Sequence, residues 1–144
     1  MSKRIRYYFV MFFTVITFFQ TPVLIFSINQ EFINYYYLQQ KFFKARSYEN
    51  VQELLEIVKL IEDNIENIKN PMLYEFKLIL AESYLQLATL TSGKKKQIYL
   101  ENALKISEEL IKVQQYNGKA YYLLALIYSQ LIEFVNVFQK LSLL

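Results

Sequence analysis

The sequence predicts an all-α chain: one membrane-crossing helix at the N-terminus, then a short array of antiparallel helical hairpins. Three observations carry that prediction. Residues 7–28 form 22 consecutive uncharged positions behind a basic flank. From Val51 onward, apolar residues recur at steps of three and four, the spacing of one helix face. Finally, Leu80-Ala81-Glu82-Ser83-Tyr84-Leu85-Gln86-Leu87 returns as Leu124-Ala125-Leu126-Ile127-Tyr128-Ser129-Gln130-Leu131, with five positions identical at a period of 44 residues. A fixed period of this kind is the usual trace of stacked helical units.

The apolar run sets the domain organisation: residues 1–28 as a signal anchor and residues 29–144 as a helical domain. As a helix, residues 7–28 would be about 33 Å long, enough to cross a bilayer core of roughly 30 Å. Pro22 can kink such a helix without excluding it. Lys3, Arg4 and Arg6 precede the span and favour a cytoplasmic N-terminus, which puts the helical domain outside the cytoplasm at the cell membrane, in the periplasm of a bacterium. A cleaved signal peptide, with its apolar region at residues 7–19, is the rival reading; a small-x-small cleavage site is hard to find after that region. Ile28 stands where a lipoprotein would need its cysteine, so lipidation there is excluded.

Composition removes several function classes. From Asn29 onward, thirteen Lys or Arg balance thirteen Asp or Glu, and the net charge of +3 rests on the N-terminal flank. A neutral domain argues against a nucleic-acid partner. Histidine and cysteine are both absent. The commonest general base, the commonest metal ligand and the thiolate nucleophile are therefore missing. Glu62-Asp63 and Glu108-Glu109 are adjacent pairs that point to different sides of a helix. No catalytic residue, cofactor or metal site is expected.

Taken in order, the helices read as follows. Residues 29–45 are polar and aromatic, with Tyr35, Tyr36 and Tyr37 either in the interfacial belt of the membrane or on the apolar face of a first short helix with Phe32, Ile33, Phe42 and Phe43. Asn50 followed by Glu53 has the spacing of a capping box. Beyond it Val51, Leu54, Leu55, Val58, Ile61, Ile65 and Ile68 form one apolar face, Glu53, Glu56, Glu62, Asp63 and Glu66 a solvated one, and Asn70-Pro71 the stop. A third helix should span Met72 to Thr91, ended by Ser92-Gly93, with Lys94, Lys95 and Lys96 on a loop tip. A fourth covers Gln97 to Gln115 and turns Leu100, Ala103, Leu104, Ser107, Leu110 and Ile111 inward. Gly118 should end it. A fifth begins near Lys119 and runs towards Ser142.

Tyr121, Leu124, Ala125 and Tyr128 have the order and spacing of the first helix of a tetratricopeptide repeat. Leu80, Ala81 and Tyr84 match three of the four places, with Lys77 where the aromatic should be. Ala103 falls on the small residue that opens the second helix. Residues 74–131 thus resemble this family, a helix–turn–helix unit of roughly 34 residues. The resemblance assigns the extra ten residues of the 44-residue period to the turn around Leu90 to Lys96. It implies a concave protein-binding surface lined by Glu75, Leu78, Glu82 and Leu85 in one unit and by Lys119, Tyr122, Leu126 and Ser129 in the next. A membrane-anchored interaction or scaffold module follows, with another protein or a peptide as partner. Two alternatives share the fold: an accessory subunit gathering a small ligand for a solute transporter, and a truncated relative of a longer repeat protein. Leu131, Phe134, Val135, Phe138, Leu141, Leu143 and Leu144 should be partly uncovered, so the last helix is also a candidate for homo-oligomer contact.

Overall fold

A computed structural model describes residues 33–68 and 72–141, with side chains placed as far as Val135. All regular structure among these residues is helical: α1 (33–47), α2 (Val51–Asn64) with a 3-10 turn at Ile65–Asn67, α3 (Met72–Thr89), α4 (Gly93–Val113) and α5 (Gly118–Leu141). No helix among the described residues is long and apolar enough to cross a membrane. The predicted span at 7–28, the Asn70-Pro71 stop and the residues from Ser142 onward lie outside the described residues.

The helix α3 is the centre. Twelve of its eighteen residues are buried, on every side of the helix, because α2, α4 and α5 all pack against it. From α1, the Tyr35 ring meets the Phe76 edge with centroids 5.8 Å apart. The links between consecutive helices are short, which runs neighbours antiparallel. Ala81, Ala88, Ala103 and Ser107 are fully buried in α3 and α4. Side chains this short let two helices approach closely. The two buried serines are satisfied within their own helices: Ser83 Oγ donates to Ile79 O and Ser107 Oγ to Ala103 O, each at 2.8 Å.

The α1–α2 joint is tight for a local reason. Glu49 sits at φ +50°, in the left-handed region. Its amide donates to Arg46 O at 3.2 Å and the Asn50 amide to Ala45 O at 2.9 Å. These two bonds make a Schellman cap with glutamate where glycine is usual. Asn50 then caps α2, its Oδ1 accepting from the Glu53 amide at 3.2 Å. Because the Asn50 amide is already used by Ala45, the return half of a capping box is not needed.

Several expectations are corrected. Lys94, Lys95 and Lys96 are no loop tip: they form the first turn of α4, and only residues 90–92 separate it from α3. The turn is therefore too short to hold the extra ten residues, and Ala103 lies in the middle of α4, not at its start. Lysine is a good helix former, so nothing in Lys94–Lys96 stops the helix from starting at Gly93. Likewise Gly118 opens α5 and does not close α4. Asn117 is the reason, its Oδ1 accepting from the Lys119 amide at 3.0 Å as an N-cap. In α1 the inward residues are Leu38, Phe42 and Ala45, whereas Tyr36, Tyr37 and Phe43 are exposed. In α2, Ile57 joins Leu54, Val58 and Ile61 in the core, and Val51, Leu55, Ile65 and Ile68 are half-buried against it.

Candidate functional site

The eight residues carried over from the repeat pattern divide by burial. Leu78 and Leu85 belong to the core, so these two do not line an open surface. Glu75 and Glu82 are half-buried on α3, while Lys119, Tyr122, Leu126 and Ser129 are exposed on α5. On α5 the spacing 119, 122, 126, 129 places all four on one side of the helix. Tyr122 is two-thirds exposed and is the largest of them.

Glu75 and Glu82 interact with α1 through residues that the sequence pattern does not mark, and Glu82 also with Lys119 of α5, which it does. The Tyr35 hydroxyl donates to Glu75 Oε2 at 3.3 Å, and Gln39 Nε2 donates to the Tyr35 oxygen at 3.1 Å. Burial first, then the charge and hydrogen bond of Glu75, push the Tyr35 hydroxyl up to about 12. Burial also raises the Glu82 carboxyl above the ordinary carboxylate range; Arg46 of α1 and Lys119 of α5 pull it back in part, and Glu75 adds to the rise. Glu82 is therefore an acid on α3 that feels one cation from α1 and one from α5. Tyr35 and Arg46 lie 40 and 36 residues from their α3 partners, and no local spacing signals such pairings.

A depression of about 430 Å³ lies between α2, α3 and α4. Two of the charged residues that line it pair with each other. Lys77 Nζ meets Glu109 Oε2 at 2.9 Å, which holds the Glu109 carboxyl below its usual value. Glu62, also on its rim, accepts from the Tyr84 hydroxyl. Among the described residues, no group of three or more His, Cys, Asp or Glu is placed to hold a metal ion.

Compared with family models, with curated proteins and with solved structures, the chain matches none.

Proposed function

We propose that this chain is a membrane-anchored, tetratricopeptide-like interaction module whose helical domain stands outside the cytoplasm and binds a protein segment. The observation that carries the reading is the half-buried Glu82 on α3, which feels the charge of Arg46 from α1 and of Lys119 from α5, while Lys119 shares its side of α5 with the exposed aromatic Tyr122. The direct packing of α3 on α5, helices that are not consecutive, is what stacked hairpins require. Glu82 and Lys119 would orient the partner by charge, and Tyr122 would anchor it, since aromatics carry much of the binding energy of interfaces. The absence of His and Cys supports a non-catalytic role. The anchor rests on the uncharged run at residues 7–28 and its basic flank.

The test is capture from the envelope fraction of the source organism. Tagged full-length chain and a Tyr122→Ala copy, both in mild detergent and both confirmed helical, are loaded side by side. A protein retained by the parent and lost by the variant supports the reading. Equal retention by both, or none by either, removes Tyr122 and its face from partner binding.

A further inference from the structure

We propose that the outer face of α5 is a two-fold, antiparallel contact between two copies of this chain, centred on a seam of its own beside the surface around Glu82. Tyr121, Ala125, Tyr128, Ile132 and Val135 are all exposed. Their spacing is 4-3-4-3, the narrow seam by which one helix packs along another, so the occupant is a helix. The inward residues of α5 are different ones, Ala120, Leu123 and Ile127, so the seam is not needed for the fold.

Two features make the occupant a second α5. The first is size matching. A two-fold axis between residues 126 and 127 sets Tyr128 against the partner copy's Ala125 and Tyr121 against its Ile132. Each large ring then meets the small or branched residue that leaves it room, twice over by symmetry. The second is charge. The positions flanking the seam, Tyr122, Leu124, Ser129 and Leu131, carry none, so like-charge repulsion does not oppose self-pairing. Two half-exposed tyrosines with their aliphatic neighbours offer about 500 Å² per copy, or roughly 1,000 Å² in all, the lower bound for a specific interface. The dimer is correspondingly a weak one, helped when both copies share a membrane.

The chain has no cysteine, which makes cross-linking clean. Full-length Tyr121→Cys and Ile132→Cys chains are oxidised separately and as a mixture in detergent. A disulfide-linked dimer in the mixture but not in either chain alone is the expected result. In the antiparallel pairing, two copies of position 121 lie about 16 Å apart along the helix axis, beyond the reach of a disulfide. Linking within Tyr121→Cys alone would mean parallel pairing and overturn the proposal. No linking in any sample, with helicity intact, would assign the seam to another helix and overturn it too. Sedimentation of full-length Ala125→Glu gives the second reading: roughly tenfold or more weaker self-association, from burying two unpaired charges, with the fold kept because Ala125 is exposed.

Discussion

The hydroxyl of Tyr84 on α3 donates to the carboxylate of Glu62 on α2. Tyr84 is buried and Glu62 exposed, so the bond joins the core to the outer surface of the preceding helix. Burial and Glu62 both push the Tyr84 hydroxyl up, first the burial and then the carboxylate. Tyr84→Phe removes only the hydroxyl, with its bond to Glu62 and its contact with Asn102. Because Glu62 can rehydrate, the expected loss is about 1 kcal/mol, whereas Tyr84→Ala also opens a core cavity and should cost about 3–5 kcal/mol. Thermal unfolding of the full chain in detergent, followed by far-ultraviolet dichroism, separates the two. A Tyr84→Phe chain as unstable as Tyr84→Ala would contradict the assignment.

The joint between α1 and α2 holds a non-glycine residue in the left-handed region at Glu49. Glutamate is strained there by roughly 1–2 kcal/mol and glycine is not. Glycine regains some entropy in the unfolded chain, so Glu49→Gly should stabilise by about 0.5–1 kcal/mol. Asn50→Ala, at the next residue, should do the opposite, by about 1 kcal/mol, through loss of the α2 cap. Opposite shifts in the unfolding midpoint at adjacent positions would verify this geometry; a loss of stability in both would not fit it.

Glu82 gives a pH signature. Its folded carboxyl is raised, first by burial, so the fold favours the neutral form. Its contribution to stability is therefore fullest below the unfolded carboxylate range and falls as pH rises through the folded value. Glu82→Gln should be more stable than the parent at neutral pH, and the difference should shrink on acidification. Unfolding midpoints of parent and variant between pH 3 and 8 give the sign. A difference that grows with acid would show that Arg46 and Lys119 outweigh burial.

The repeated Leu-Ala-x-x-Tyr pattern suggests that Ala81 and Ala125 have the same role. They do not: Ala81 is fully buried between packed helices, whereas Ala125 is exposed. Ala81→Leu should cost roughly 1–3 kcal/mol by overpacking. Ala125→Leu should leave the stability of the individual fold within about 0.5 kcal/mol of the parent. Measured at a concentration low enough to keep chains apart, equal losses in the two variants would mean that α5 is rotated relative to this description.

Among the described residues, helix number and approximate bounds were legible because the chain repeats apolar residues at three and four and marks its turns with Asn and Gly. The inward face of α4 was legible in its centre: Leu100, Ala103, Ser107 and Leu110 are buried and Leu104 and Ile111 half-buried, but Tyr99 and Ile106 also pack on the core and the sequence reading did not mark them. Two kinds of feature were hidden. One was helix starts, where Asn117 and Gly118 read equally well as the end of α4 or the beginning of α5, and a single side-chain hydrogen bond decides between them. The other was rotation about the helix axis. In α5, Tyr121, Leu124, Ala125 and Tyr128 compete with Ala120, Leu123 and Ile127 for the inward side, and both sets are apolar at helical spacing. Only packing against α3 and α4 chooses, and that choice depends on residues far away in the chain. The same holds for the candidate surface: Lys119 and Tyr122 follow from position within α5, but Arg46 and Tyr35 enter only when α1 meets α3.

The most direct measurement places a photoreactive amino acid at Leu126, at Tyr128 and at Tyr116 in turn, in the full chain within native membranes. Leu126 stands on the side of α5 shared with Lys119, Tyr128 on the seam, and Tyr116 on the exposed turn before the helix. Position 126 should link a different protein, position 128 a second copy of this chain, and position 116 neither. The same product from positions 126 and 128, or no product from 126, would contradict a separate partner-binding face.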